Sequence, residues 1–356
     1  MKKHLLKYAC VLPLCVSLSD ASINEVDENI INENAKYKFP YITERGRTYE
    51  TNSLTKISDV IGEINERTWL AIDIDSTTAM QTTAALAPEN VDEYDAVECE
   101  YLKENPDARL KYNELEAHLY ETFHEILVDK ELPEFLKAFR VRGGKVIALT
   151  ALENCMLGGK MLIDIRYQKM KDLGVDFAES FPNIKPFPIV VDESIRGIKT
   201  TISPYYSNGI ITTRPYSKDQ SFFAFLKKTR LKADKVVFMD DLADNVCVMQ
   251  SGSLRNEVKY IGIHYLATTQ IKLKYPYSKK RLEFQFDFLY KYKRFPSDAE
   301  AERLMAKEEA STKDEKQTDN KLTENSENTT PTETEKSQPH EEDKKEENTI
   351  NEEEKK

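Results

Sequence analysis

The chain has 356 residues, a formal net charge of −11, 40% hydrophobic residues and five cysteines. The acidic balance speaks against a nucleic-acid partner, and so few cysteines exclude a disulfide-built scaffold.

Residues 1–21, "MKKHLLKYACVLPLCVSLSDA", set lysines ahead of an apolar stretch from Tyr8 to Leu18 and end on Ser19 and Ala21. Small residues at that spacing suit a signal peptidase, so a cleaved export signal to the periplasm or beyond is expected. The stretch falls short of the ~20 residues of a membrane-spanning helix, and Pro13 interrupts it, so no stable membrane insertion is expected after cleavage. Residues 22–50 are polar and read as an irregular lead-in to a folded body at 51–305.

Five compact apolar runs in that body end abruptly at polar residues, as buried strands do. They are "WLAID" (Trp69 to Asp73), "KVIALT" (Lys145 to Thr150), "NGIITT" (Asn208 to Thr213), "KVVFMDD" (Lys235 to Asp241) and "VKYIGIHY" (Val258 to Tyr265). Helical stretches separate them, so the expected fold is α/β, a parallel sheet covered on both faces. Leu115, Leu119, Phe123, Ile126 and Leu127 recur at helical spacing, and Pro133 suits the first turn of a second helix through Phe139. Lys169 to Leu173, Gln220 to Lys228 and Ser278 to Tyr292 are further helical candidates. The last carries Phe284, Phe286, Phe288, Tyr290 and Tyr292 and is expected to pack on the sheet.

Residues 79–135, between the first and second strands, read as a mainly helical, cap-like insertion. Residues 181–209 read as a hairpin-like excursion before the third strand. From 306 to 356 the chain loses all aromatic residues; from Lys307 on it carries nine lysines against seventeen acidic residues, which is −8 of the total charge. Such a segment cannot bury enough surface to offset chain entropy. It is expected to be a disordered acidic tail, open to a protein partner, on a body that is only mildly acidic. Cys99, Cys155 and Cys247 remain after signal removal; an odd count forbids complete pairing, and Cys155 and Cys247 read as apolar fillers.

In an open parallel sheet, ligands bind beyond the carboxyl ends of the strands, where the strand order switches. Strand one ends in Asp73, Asp75, Ser76 and Thr77, strand two in Thr150, and strand four in Asp240 and Asp241, with Asp244 and Asn245 just beyond; Lys218 follows strand three. Carboxylates from two strands can hold Mg²⁺, a hard cation. The lysine and the hydroxyls of Thr150, Ser76 and Thr77 can bind phosphate oxygens that the metal leaves uncovered. Asp73 is then placed to attack phosphorus and Asp75 to protonate the leaving oxygen. Asp240 is the first metal ligand of its pair, with Asp241 or Asp244 second, beside Asp73 and Asp75. The histidines, His118, His124 and His264 among them, show no metal-binding spacing.

These residues resemble the four motifs of the haloacid dehalogenase (HAD) superfamily of phosphohydrolases. "AIDIDST" is similar to its first motif, with Asp73 as nucleophile, Asp75 as acid and base, and Thr77 third; "VIALT" is similar to the second through Thr150. Lys218 suits the third, and "VVFMDDLADN" is similar to the acidic fourth. The resemblance implies a HAD-like Rossmannoid sheet and a Mg²⁺-dependent phosphatase of small phosphate esters, because dehalogenases of the superfamily lack an acid at the position of Asp75. "KVIALTAL", "VVFMDDLADN", "VKYIGIHY" and "RFPSDAEA" also look similar to the bacterial DUF2608 family, which has no assigned function. A rival expectation is a catalytically silent exported binding or effector protein on the same fold.

Overall fold

The computed structural model describes residues 46–191 and 203–311. The expected export signal, the lead-in up to residue 45, the middle of the 181–209 excursion and the tail beyond 311 lie outside the described residues. The chain divides into two units, Met1–Met305 and Ala306–Lys356; in the second, residues 306–311 are helical.

The strands in chain order are β1 (Gly46–Thr51), β2 (Thr68–Ile72), β3 (Ala79–Gln81), β4 (Glu125–Leu127), β5 (Lys145–Thr150) and β6 (Met156–Leu157). They continue as β7 (Lys160–Met161), β8 (Phe187–Pro188), β9 (Tyr205–Ser207), β10 (Ile210–Thr212), β11 (Lys235–Asp240) and β12 (Lys259–Tyr265). Eight of them form one sheet in the order β1-β12-β11-β2-β5-β10-β9-β8. From β1 to β10 all neighbours are parallel, and β9 and β8 add antiparallel edges. The protein is thus α/β, with a mostly parallel central sheet flanked by helices.

The helices are α1 (Leu54–Ile61), α2 (Val91–Glu104), α3 (Pro106–Leu110), α4 (Tyr112–Thr122) and α5 (Leu132–Val141). After them come α6 (Leu162–Asp172), α7 (Lys218–Thr229), α8 (Ala243–Arg255) and α9 (Lys279–Tyr292). Every residue of β2 is buried, because successive side chains point to opposite, equally covered faces. Trp69 and Ala71 pack with Phe222 and Phe225 of α7 and Met249 of α8. Leu70 and Ile72 pack on the other side with Ile57, Leu136 and Met170 of α1, α5 and α6. Among the described residues no helix is long and apolar enough to cross a membrane.

Four expectations change. Residues 46–50, read as the end of an irregular lead-in, form β1 together with Thr51 at the sheet edge, in register from Gly46↔Tyr260 to Thr51↔Tyr265; the segment is polar, so its pairing left no hydrophobic signal. The helix expected through Leu127 stops at Thr122, where Phe123 turns extended (φ −60°, ψ 142°), and Ile126 and Leu127 enter β4. Helix α9 does not pack on the sheet. Its Leu282, Phe286 and Leu289 join Tyr94, Val97, Leu115 and Leu119 of α2 and α4 in a separate core. Cys99 is exposed, Cys155 and Cys247 are only half-buried, and the three form no disulfide among the described residues.

Between β2 and β5 the chain therefore forms an α2–α4 layer, entered and left through the β3–β4 pair and packed against α9. Helix α5, which begins inside the 79–135 window, instead sends Leu132, Leu136 and Phe139 into the core beneath the sheet. Before the third sheet strand, β9 and β10 are joined by Asn208-Gly209, both at positive φ (49° and 78°), as a two-residue hairpin requires. A Cβ on Gly209 would sit 2.1 Å from the Phe177 carbonyl oxygen, so only glycine fits.

Candidate active site

The crossovers from β2 run to β5 and β10 on one side, while β11 and β12 lie on the other. The strand order thus reverses between β2 and β11, and open α/β sheets bind ligands in the crevice beyond the carboxyl ends of the strands at such a switch point. Asp73 follows β2, with its amide donating to Met239 O at 2.9 Å, and Asp240 closes β11. Oxygens of Asp73, Asp240 and Asp241 come within 4.8 Å of one another.

Lys218 lies between two of these acids. Its Nζ donates to Asp73 Oδ1 and to Asp240 Oδ2, each at 2.6 Å, with the lysine and Asp240 fully enclosed. Lys218 is the first residue of α7, which Ser217 and Gln220 cap. A cation there opposes the positive end of the helix dipole, so its place comes from the carboxylates and not from the helix. Burial acts to lower its pKa, but Asp240 and Asp73 outweigh it and hold the ammonium charged.

The acids are held as closely. Asp240 accepts from the Leu242 amide at 2.9 Å and from Asn245 Nδ2 at 3.0 Å. Thr77 accepts from the Asp241 amide at 2.9 Å, and its hydroxyl faces both Asp241 Oδ1 (3.3 Å) and Asp73 Oδ2 (3.5 Å), with one proton to give. Thr78 donates to the Asp73 carbonyl at 2.6 Å. His264 Nε2 lies 3.0 Å from the Asp241 carbonyl. Burial pushes the Asp73 carboxyl well above its usual range, Lys218 opposing and the neighbouring acids adding. Asp241 is pushed up to about 7, by burial first and Asp240 second. Burial thus drives Asp73 and Asp241 towards neutralisation, and with Asp240 they form a set of three hard oxygen donors of the kind that could hold a divalent cation.

Asp75 stands apart from this trio. Its side chain is one-third exposed, and it accepts from Arg166 Nη2 at 2.7 Å on Oδ1 and from Thr150 Oγ1 at 3.2 Å on Oδ2. Thr150 is thus committed to Asp75. Ser76 turns the chain with φ 62° and gives its amide to Ala79 O at 2.8 Å. Asp244 sits in the first turn of α8, half-buried and outside the three-acid group. Arg166 and Glu125 went unread in the sequence. The signal was an arginine in an apolar stripe, since Leu162, Arg166 and Met170 are spaced i, i+4, i+8 and all three are buried.

The model of the family described as "Protein of unknown function (DUF2608)" matches residues 50–311. The chain belongs to this family. No curated protein and no solved structure matches it. In this DUF2608 chain the matched stretch contains every residue of the site just described. A wide basic groove of about 1250 Å³ lies elsewhere, lined by Arg67, Lys227, Lys228, Arg230 and Lys232 among others. Arg67 precedes β2 and Lys232 precedes β11, so the groove is at the opposite edge of the sheet.

Proposed function

We propose that the chain is an exported, Mg²⁺-dependent phosphohydrolase of the haloacid dehalogenase type, acting on small phosphate esters through an aspartyl-phosphate. The observation that carries this is the trio Asp73, Asp240 and Asp241 at the switch point, with Lys218 bridging Asp73 and Asp240. Asp73, Asp240 and Asp241 would hold the metal, which when bound supplies positive charge beside the transferring phosphoryl oxygens.

An Asp73 oxygen attacks phosphorus, the bond from phosphorus to the ester oxygen breaks, and Asp75 gives that oxygen its proton. Asp75 then takes a proton from water, whose oxygen displaces the Asp73 carboxylate from phosphorus and releases phosphate. Lys218 orients Asp73 and offers its charge to the phosphoryl oxygens. Asp73 is 6% exposed, so the nucleophile reaches only what enters the crevice.

The test is hydrolysis of an aryl phosphate by the full chain with and without Mg²⁺, beside Asp73→Asn. Metal-dependent turnover that the substitution abolishes is expected; turnover indifferent to either would defeat the proposal. The basic groove favours a second reading, an exported binding protein with an idle site. A wild-type chain inert on a broad panel of phosphate esters, yet binding a polyanion through that groove, would favour it.

A further inference from the structure

Asp75 is positioned by an arginine that is itself held by the foot of the insertion. Arg166, 1% exposed, projects from α6 and gives Nη1 to both oxygens of Glu125 at 2.8 and 2.7 Å, and Nη2 to Asp75 at 2.7 Å. Burial works against its charge, but Glu125 and Asp75 together keep the guanidinium firmly protonated. Glu125 is the first residue of β4, directly opposite Gln81 of β3, and its side chain is 2% exposed. Strand β3 begins four residues after Asp75, and Ala79 bridges back to Asp75 itself. The two strands that carry the insertion therefore start at one acid of the site and end at the anchor of its arginine.

We propose that Arg166 is the positioning residue for Asp75 in the phosphohydrolase reaction, and that Glu125 transmits the position of the helical insertion to it. The inference rests on the function proposed above. A planar guanidinium with one nitrogen committed to Glu125 leaves the other pointing in one direction, which fixes the Asp75 carboxylate more tightly than a lysine could. Thr150 fixes the second oxygen, so Asp75 cannot turn towards the three-acid group while both bonds persist. A shift of the insertion against the sheet moves Glu125, then Arg166, then the acid. Misplacement on the scale of 1 Å is enough to cost a factor of about 100 in rate.

The experiment compares kcat/KM for a simple alkyl phosphate, whose leaving oxygen needs a proton, with that for nitrophenyl phosphate, whose leaving oxygen does not. It uses the full-length wild type, Glu125→Gln, Arg166→Lys, Glu125→Gln with Arg166→Met, Asp75→Asn, and Glu125→Gln in the Asp75→Asn background. The double Glu125/Arg166 variant removes both buried charges together, so neither is stranded. Expected is a loss of about 100-fold on the alkyl ester and under about tenfold on the nitrophenyl ester, with partial recovery in Arg166→Lys. Glu125→Gln should add nothing once Asp75 is asparagine. Equal losses on both esters, an additive loss in the Asp75→Asn background, or no loss at all would overturn the inference while leaving the phosphohydrolase function standing. An inert wild type, or turnover indifferent to Asp73→Asn, would remove both together.

Discussion

At the carboxyl edge of the sheet, Asp73 and Asp240 are buried and Asp241 half-buried beside Lys218, a backbone amide, an asparagine and a threonine. In the helices between β3 and β4, Glu98 and Glu116 are buried beside tyrosines. Tyr94 donates to Glu98 at 3.2 Å, and both Glu116 oxygens lack a hydrogen-bond partner. Together with Tyr101 and Tyr112 they line a cavity of about 20 Å³ in which no lysine or arginine takes part among the described residues. Burial first, with Asp95 adding and the Tyr94 and Tyr112 hydrogen bonds opposing, pushes Glu98 up to about 7, and burial with Glu98 pushes Glu116 up to about 9. The difference teaches that burial of acids does not make a site. Asp73 and Asp241 are pushed up as well, but Lys218 opposes the shift at both, whereas no cation opposes it at Glu98 or Glu116.

Four substitutions break or sharpen that contrast. Lys218→Met leaves Asp73 and Asp240 facing each other without a cation. It should cost about 3–5 kcal/mol in urea unfolding and reduce phosphatase turnover at least ~1000-fold. A stable, active Lys218→Met chain would show that the two clusters do not differ in kind.

Glu116→Met should act in the opposite direction and stabilise the protein by about 2 kcal/mol at neutral pH, because the wild type holds an unpartnered acid there. The sign follows from a folded pKa of about 9 against an ordinary 4.5. Stability from the protonated acid is complete below pH 4.5 and drains away as pH rises towards 9, so the gain from Glu116→Met should grow across that window. A gain that is flat with pH would mean that Glu116 does not titrate on folding. The smallest effect separates two acids that the sequence left equivalent. Asp241→Asn should weaken Mg²⁺ binding by about tenfold in calorimetry, and Asp244→Asn by less than about twofold; the reverse order would move the metal out along α8.

Much of this architecture was legible because β2, β5 and β11 are buried on both faces, and such strands write themselves as unbroken apolar runs ending in polar residues. The placement of Asp73 and Asp240 at neighbouring strand ends follows from the same signal. What escaped lacked a hydrophobic signature. Strand β1 is polar and exists through main-chain pairing with β12, and α9 is aromatic on more than one face, so its pattern could not say whether the sheet or the insertion would receive it. Arg166 was hidden because burial of a charge depends on partners 41 and 91 residues away.

By itself the sequence determined the α/β layering, the strand-end acids and the family, since these are written in local composition and order. Only the tertiary structure decided that Thr150 and Arg166 grip Asp75, that Asp241 and not Asp244 joins Asp73 and Asp240, and that Lys218 among several lysines enters the crevice. Each of those choices depends on which side chains the crossovers bring together in space, and chain order does not set such distances.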